Sequence, residues 1–433
     1  MFKTIANAFK IKDLRKKILL TLLLLFIYRV GCFLPVPGIN AAEIQASLEA
    51  SGSYSIFNIM NMISGGSLAN CSILALGVSP YITASIVIQL LSVAIPSLER
   101  LSKQGEAGKQ KITLYTRIAA LVLSVAQAIG IVASYPVDPN ALWTGAPSWL
   151  ISAGVVIILV AGGMFTVWLG EKITDLGIGN GMSLLIFVGI LSSASTALFE
   201  SIKAITVGKM WTIIIFLVAV VLIFGLIVLV DSAERRIPVQ YAKQIKGRKM
   251  YGGQSTYIPI RVNGSGVMPI IFATSLITFP QLIISIFWPG SGAEKWYQTW
   301  LGTGSWVYIV ILSLLILGFA FFYAQITFNS EDVSKRIQQQ GGFIPGIRPG
   351  KPTAEYLGKI SKRITFFGAL FLALVALIPS LAFKALGDTA VLENTLINAF
   401  SATGLMIIVS VALELDKQLE AQMMMRNYKG FLD

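Results

Sequence analysis

The chain has 433 residues, of which 55 % are apolar and only 13 % are charged, and its formal net charge is +13. This apolar share is well above that of ordinary globular domains and indicates a membrane protein. The chain contains no histidine and two cysteines, which excludes Ser-His-Asp triads, histidine metal sites and a zinc site made from cysteines alone. We therefore predict no catalytic site, no metal site and no cofactor, and we do not expect an enzyme.

Ten apolar runs follow one another along the chain. Each has about 20 residues, the length that a helix needs to cross the hydrocarbon of a bilayer. We expect ten transmembrane helices in an all-α polytopic fold. The first run ends without a small-residue cleavage site and is expected to be a retained span rather than a signal peptide. The runs lie near 18–34, 73–95, 112–134, 149–169, 181–199, 210–230, 267–287, 306–328, 364–383 and 395–413.

Four residues near the ends of these runs have charged or thiol side chains. Arg29 and Arg117 are the only charged residues inside the runs, and we expect both to extend to the membrane interface. Cys32 and Cys71 are both predicted near the external side of the membrane. The sequence leaves open whether they form a disulfide. The simpler interpretation is that both cysteines are small apolar side chains that fill space.

Residues 53–71, SYSIFNIMNMISGGSLANC, precede the second run. They are too polar to cross a bilayer and too apolar for an ordinary loop. The simplest interpretation is a re-entrant or interfacial helix that only packs, and a functional short helix hinged on glycines is the alternative. The apolar residues that would cover this helix, and the glycines that would end it, are Ile56, Phe57, Ile59, Met60, Met62, Ile63, Gly65 and Gly66.

The distribution of Lys and Arg predicts the orientation of the chain. Most of the 34 basic residues lie in the two tails and the even-numbered connections, whereas the odd-numbered connections carry only Lys203, Lys209, Lys295 and Lys384. Because positive charge stays on the cytoplasmic side, both termini are expected to be cytoplasmic. Topology and anionic lipids explain part of this basic face, and an acidic or RNA partner would also suit it.

A short internal repeat relates the two halves of the chain. GVSPYITAS at 77–85 resembles GVMPIIFAT at 266–274, and the two copies open the second span of the first and of the last five spans. An odd number of spans in each half gives the copies opposite orientation, which is the inverted-repeat layout. We expect halves at 1–200 and 201–433, with the repeated prolines about four residues inside their helices. An ordinary helix start is the alternative explanation for these prolines.

Two cytoplasmic connections, 231–266 and 329–363, are long enough to form either a functional surface or a flexible linker. The first carries basic residues with tyrosines between them. The second centres on PGIRPG at 345–350, where Pro and Gly would hold Arg348 on a stiff turn. A protruding guanidinium of this kind suits a carboxylate or phosphate partner.

An ion-coupled small-molecule transporter is the alternative function. Such transporters commonly hold carboxylates or other polar groups at mid-membrane. All 21 Asp and Glu residues of this chain instead fall in loops, tails or span edges. A transporter that uses only backbone carbonyls and hydroxyls stays open, beside a pore, a scaffold or a lipid-handling protein.

Long stretches of the chain resemble the SecY family, the pore-forming subunits of bacterial protein-translocation channels. The similarity covers essentially the whole chain, with a slight departure from one family motif at Gln104-Gly105-Glu106-Ala107-Gly108. The stretches include LPVPGIN at 34–40, ALGVSPYITASIVIQLL at 75–91, LGEKITDLGIGNGMSLLIF at 169–187, IPIRVNGSGVMPIIFA at 258–273 and GGFIPGIRPGKPTAEYL at 341–357.

The resemblance implies two inverted halves of five helices around an hourglass pore. The pore would pass unfolded secretory polypeptides across the bacterial plasma membrane and release membrane segments sideways into it. A ring of aliphatic side chains would close it by dewetting, and a plug at about 54–70 would block the external funnel at rest. Matched motif by motif, the ring falls on Val78, Ile82, Met182, Ile186, Ile271 and Ile407.

The resemblance also implies a lateral gate, a docking surface and partners. The second and seventh spans would form the gate, and the two long cytoplasmic connections would bind the SecA motor ATPase and the ribosome. The other expected partners are the SecE and SecG subunits, signal sequences, unfolded polypeptides and anionic membrane lipids. The gate residues are Ser79, Thr83, Ser85, Gln89, Thr274, Ser275 and Thr278, and the docking residues are Arg235, Arg236, Lys243, Lys246, Arg248, Lys249, Arg348 and Lys351.

Overall fold

The computed structural model describes residues 7–37, 61, 64–102, 104–134, 147–203, 210–241, 244–246, 249–251, 255–264, 266, 268–287, 291–302, 305–386 and 402–429. A helix lies at the position of each of the ten predicted spans, and short strands lie between the sixth and seventh and after the eighth. The helices are α1 (Lys12–Gly31), α2 (Ser79–Ala94), α3 (Pro96–Ser102), α4 (Glu106–Ser134), α5 (Ser148–Leu176), α6 (Gly181–Lys203), α7 (Met210–Ser232), α8 (Met268–Phe287), α9 (Gly292–Leu301), α10 (Trp306–Thr327), α11 (Ser330–Gln339), α12 (Lys351–Leu386) and α13 (Ala402–Lys429). The strands are β1 (Glu234–Tyr241), β2 (Gln244–Lys246), β3 (Lys249–Tyr251), β4 (Ser255–Arg261) and β5 (Gly342–Phe343).

Length and composition identify helices that can cross a membrane. Among the described residues, five long helices qualify, and α2 with α3, which meet at a bend of 106°, make a sixth if the pair is counted as one span. Shorter apolar helices occur at Val220–Ser232 and Met268–Ile277. The predicted helical membrane fold is therefore confirmed. The five long ranges are Glu106–Ala133, Trp149–Leu176, Gly181–Phe199, Trp306–Gln339 and Lys351–Leu377.

Both prolines of the internal repeat lie at the start of a helix. Pro80 is the second residue of α2, and Pro269 is the second residue of α8. The expectation that they lie about four residues inside was wrong, because the first turn of a helix suits a residue that has no N–H to donate. Gly77 and Gly266, three residues before each proline, have positive φ values of 54° and 62°. The repeated motif thus has a left-handed glycine at the same place in both copies.

The chain divides into two compact units. One contains Met1–Met210, Ser275–Ser305 and Gly387–Asp433, and the other contains Trp211–Thr274 and Trp306–Leu386. This division follows packing and differs from the predicted division at residue 200. The inverted repeat stays a prediction.

In the first unit, the segment from Ser64 to Gly77 precedes α2 without forming a helix, so α2 begins at Ser79 and not near residue 73 as predicted. The backbone N–H of Val36 donates to the carbonyl of Cys71 at 2.7 Å, and that of Ile73 donates to the carbonyl of Leu34 at 2.9 Å. These bonds attach the segment to the end of α1. The apolar core beneath it contains Val36, Leu68, Cys71, Ala75, Leu76, Ala128, Ile131, Val155 and Leu159.

Both cysteines are free and buried, so the disulfide that the sequence left open is not formed. They act as small apolar side chains, which was the simpler interpretation.

In the second unit, the two long connections that were predicted to be cytoplasmic contribute strands to one small sheet. β1 pairs antiparallel with β4, with Ile237 opposite Ile258, and also with β5, with Tyr241 opposite Gly342. The sheet packs on α11 and on the first turns of α12, which begins 13 residues before the predicted ninth span. The connections are thus a folded structure rather than a flexible linker. Its core contains Ile237, Val239, Ile260, Ile337, Ile344 and Leu357.

Gly162→Ala should destabilise the protein, whereas Gly154→Ala on the same helix should not. A Cβ atom on Gly162 would lie 1.9 Å from the carbonyl oxygen of Ile73, but a Cβ atom on Gly154 would have no neighbour within 4 Å. Overpacking of this kind costs about 1–3 kcal/mol. The midpoint of thermal unfolding of the purified protein measures the difference. Equal midpoints for the two variants would contradict the close approach of residue 73 to α5.

Candidate functional site

The six residues of the predicted pore ring are all buried or half-buried. Val78, Ile186 and Ile407 are buried, and Ile82, Met182 and Ile271 are half-buried. The helices α6 and α13, which carry three of the six, pack on each other. The Met182 sulfur lies against Gly170 of α5, 2.5 Å from where a Cβ atom on that glycine would lie. The role of these six residues as a ring stays a prediction.

Most of the predicted plug lies outside the described residues, namely Ile56, Phe57, Ile59, Met60, Met62 and Ile63. The two glycines at its end are described, and both have positive φ values, 72° at Gly65 and 84° at Gly66. L-residues with a side chain rarely adopt this backbone conformation. The glycine pair is therefore needed for the backbone conformation at residues 65 and 66.

Arg29 makes hydrogen bonds inside the protein, and its expected place at the membrane interface stays a prediction. Its Nη1 donates to the carbonyl of Gly65 at 3.0 Å, and its Nη2 donates to the hydroxyl of Ser192 in α6. The hydroxyl of Tyr28 donates to the carbonyl of Ser64 at 3.4 Å. Carbonyl and hydroxyl groups inside the protein thus replace water around the guanidinium.

Arg117, the other charged residue in the apolar runs, forms an ion pair. Its Nε lies 2.6 Å from a carboxylate oxygen of Glu171, and the two side chains are 47 % and 21 % exposed. The pair joins α4 to the end of α5. Its exposure limits its contribution to stability, since exposed pairs contribute about 0–1 kcal/mol.

The described residues of the predicted gate make hydrogen bonds within their own helices. The Thr83 hydroxyl donates to the carbonyl of Ser79 at 3.1 Å, and the Gln89 side chain donates to the Ser85 hydroxyl at 3.1 Å. On α8 the Thr274 hydroxyl donates to the carbonyl of Ile270 at 2.9 Å. Ser275 is half-buried, and the side chain of Thr278 lies outside the described residues.

The predicted arginine turn is present. The N–H of Ile347 donates to the carbonyl of Ile344 at 3.0 Å, and Gly346 between them has a φ of 83°. Proline followed by a glycine with positive φ is typical of a type II turn. The buried Thr353 hydroxyl donates to the Arg348 carbonyl at 2.8 Å. The backbone of Arg348 is therefore held, while its side chain points into solvent.

A second exposed arginine lies on β1. The Arg236 guanidinium is 4.8 Å from the centre of the Tyr257 ring, which lies diagonally across the β1–β4 pair, and its Nε is 2.8 Å from Glu234. The hydrogen bond to Glu234 raises the pKa of Arg236. Arg236 is thus oriented by two neighbours on one face of the sheet.

The structure describes some of the other predicted docking residues and not others. The side chains of Arg235 and Lys351 are exposed. Lys246 and Lys249 lie at the facing ends of the β2–β3 pair. Lys243 and Arg248 lie outside the described residues.

Comparison with known proteins identifies the family. A sequence model of the SecY family matches residues 72–415. The chain is 46 % identical over 442 residues to the protein translocase subunit SecY of Streptomyces galbus and 42 % identical over 449 residues to that of Mycobacterium tuberculosis H37Rv, with 100 % of the chain and of each relative covered. The chain belongs to the SecY family. This family consists of translocation channels and not of enzymes, and the predicted membership is confirmed.

Solved structures have the same fold. The structure described as that of a protein conducting channel has a TM-score of 0.67 and 18 % identity, and Sec61 in the canine ribosome-channel complex has a TM-score of 0.62 and 16 % identity. Each comparison covers 94 % of this chain and 91 % of the other. At these identities the likeness shows the SecY-type channel fold alone.

Sequence reasoning missed the partners of Arg29 and the pairing of the two docking connections. A charge inside an apolar run signalled that Arg29 needs polar partners, but their identity depends on residues far along the chain. β5 has only two residues, too few for a recognisable strand pattern.

Proposed function

We propose that the chain is the pore-forming subunit of a bacterial protein-translocation channel, in the plasma membrane with both termini cytoplasmic. It passes unfolded secretory polypeptides across the membrane and releases apolar segments sideways into lipid. The observation that carries this proposal is full-length identity of 46 % to a protein translocase subunit. An ion-coupled transporter gains no support from these comparisons, and the predicted absence of mid-membrane carboxylates also argues against it.

The pore is closed by an apolar ring and a plug. Val78, Ile82, Met182, Ile186, Ile271 and Ile407 form the ring, which excludes water and ions by dewetting and deforms around a peptide. The plug, residues 54–70, fills the external funnel at rest. The half-polar sequence of the plug supports this role, since it suits a water-filled funnel better than lipid.

The two connections that form the small sheet bind cytoplasmic partners. SecA and the ribosome dock on this face, and SecE and SecG complete the membrane complex. Two exposed arginines support this assignment: the guanidinium of Arg236 is oriented by Tyr257 and Glu234, and the backbone of Arg348 is held by Thr353. An oriented guanidinium binds carboxylate or phosphate groups with less loss of side-chain entropy.

A photo-reactive residue at Ile82 or Ile186 should crosslink to a secretory polypeptide that is stalled during translocation. The same residue at Ile157 is the matched control, because that side chain is 68 % exposed on the outside of α5 and should contact lipid. The readout is the yield of crosslinked substrate on a gel. Crosslinks at Ile157 but at neither ring position would contradict the proposed path of the polypeptide.

Arg348→Glu should block motor-driven secretion while the complex still assembles. The change places a negative charge against an acidic or phosphate partner, and reversal of a close charge near a surface costs on the order of a few kcal/mol. Lys109→Glu, an equally exposed reversal at the start of α4, is the control. Translocation ATPase activity is the measurement. Normal activity in Arg348→Glu, or an equal loss in both variants, would mean that Arg348 only contributes to topology.

Paired cysteines across α2 and α8 should yield a crosslink that blocks secretion and is reversed by reduction. Interhelical hydrogen bonds in membranes average only about 0.6 kcal/mol each, so a seam between Ser79, Thr83, Ser85 or Gln89 and Thr274 or Ser275 opens at little cost. Cys32 and Cys71 are replaced in the background, and single-cysteine variants are the control. Efficient crosslinking of these pairs with unimpaired translocation would exclude this seam as the lateral gate.

A further inference from the structure

Arg29 has an unusual environment for a cation in an apolar run. It is half-buried, with one nitrogen bonded to the Gly65 carbonyl, another to the Ser192 hydroxyl, and its guanidinium carbon 5.2 Å from the centre of the Phe33 ring. Among the described residues, no carboxylate forms an ion pair with it. Such a charge is costly within a membrane unless it is fully hydrogen-bonded. Packing of α1 alone would be served by an apolar residue, so the charge points to a specific task.

The bonds of Arg29 join three parts of the first unit at one point. The Gly65 carbonyl belongs to the start of the 64–77 segment, Ser192 belongs to α6, and Arg29 belongs to α1. Gly65 fits tightly here: a Cβ atom on it would lie 2.8 Å from both the Arg29 Nη1 and the Gly189 Cα of α6. The planar, forked guanidinium presents a separate nitrogen to each of the two acceptors, which suits this geometry better than the compact ammonium group of a lysine.

The rest of the segment is held in a different way. Backbone bonds attach Cys71 and Ile73 to the end of α1, and Leu68, Cys71, Ala75 and Leu76 lie in the apolar core with α4 and α5. None of these contacts involves Arg29. Loss of Arg29 removes the bond to the Gly65 carbonyl but leaves the bond of Tyr28 to the Ser64 carbonyl. Ser64 and Gly65 should therefore loosen, while Cys71 stays in place.

We propose that Arg29 is the positioning residue that fixes the carboxy-terminal end of the plug, Ser64 to Gly66, between α1 and α6 and so maintains the closed channel. This inference rests on the proposed function. Among the described residues of the plug, Ser64 to Gly66 are the part that Arg29 anchors. Opening then requires that the guanidinium release Gly65 or move with it.

Thiol labelling tests the anchor in the reconstituted complex without any translocation. The reporter is Ser64→Cys with Cys32 and Cys71 replaced by Ala, and the reference is native Cys71 with Cys32→Ala. Arg29→Gln and Ser192→Ala should each speed labelling of residue 64 by a water-soluble maleimide by about tenfold, the change expected when one charge-assisted hydrogen bond is lost. Labelling of Cys71 should not change. Arg29→Lys, which keeps the charge, should fall between wild type and Arg29→Gln.

Resting ion conductance in planar bilayers tests the link to closure, with both native cysteines present. Arg29→Gln and Ser192→Ala should each raise it above that of wild type. Unchanged labelling at residue 64 in both variants, or an equal increase at 64 and 71, would overturn the anchor. Faster labelling at 64 with wild-type conductance would reduce Arg29 to a structural residue and overturn its role in closure. If Arg29→Gln does not accumulate in the membrane, Ser192→Ala alone tests the anchor. This variant removes the hydroxyl that accepts from Arg29 and leaves α1 intact.

These outcomes are distinct from failure of the proposed function. A complex that translocates no polypeptide would refute the proposed function, yet it would still give labelling rates at residues 64 and 71.

Discussion

The structure depends on one constraint, which is that a chain at membrane depth must satisfy its backbone N–H and C=O groups internally because hydrocarbon offers no water. Helices meet this constraint by themselves, but the 64–77 segment does not. Its groups are satisfied one by one: the Ser67 hydroxyl donates to the Leu74 carbonyl at 3.1 Å, the Ser72 hydroxyl donates to the Ser67 carbonyl at 3.0 Å, and α1 supplies further partners. Non-helical backbone is tolerated in a membrane protein where it is buried in protein or lines a water-filled cavity.

Close packing follows from the same constraint. The Ile73 carbonyl approaches α5 at Gly162, and the Gly170 carbonyl approaches α6 at Gly181. Small residues at such points let backbones approach closely, which is a main source of helix association where lipid provides no hydrophobic driving force between helices. Side chains would separate the elements and leave polar groups without partners. The part of the segment from Ser67 to Gly77 is thus fixed in the first unit, whereas movement on opening is expected at Ser64 to Gly66.

The sheet of β1, β4 and β5 packs around an apolar core of its own. Exposed and buried residues alternate along β1, as Arg236, Ile237, Pro238 and Val239 do. The apolar face rests on α11 and α12, and the basic face is free to contact partners. This arrangement joins two connections that are separate in sequence into one surface with fixed arginine positions.

The sequence predicted what depends on local patterns. Ten apolar runs indicated the spans, because hydrophobic length is a local signal, and the Pro-Gly spacing around Arg348 indicated its turn. Contacts between distant residues could not be predicted in this way. Arg29 bonds to residues 36 and 163 positions away, and the ring of Tyr241 covers Gly342, where a side chain would not fit. The prolines were misplaced because an apolar run shows where a span lies but not where its helix begins.

Reconstitution of the purified complex in proteoliposomes tests the central claim most directly. We predict that the complex moves an unfolded secretory polypeptide into a protease-protected lumen when a translocation motor and ATP are supplied, and that it shows no saturable uptake of small molecules. Saturable, ion-dependent uptake of a small solute without protection of the polypeptide would contradict the account.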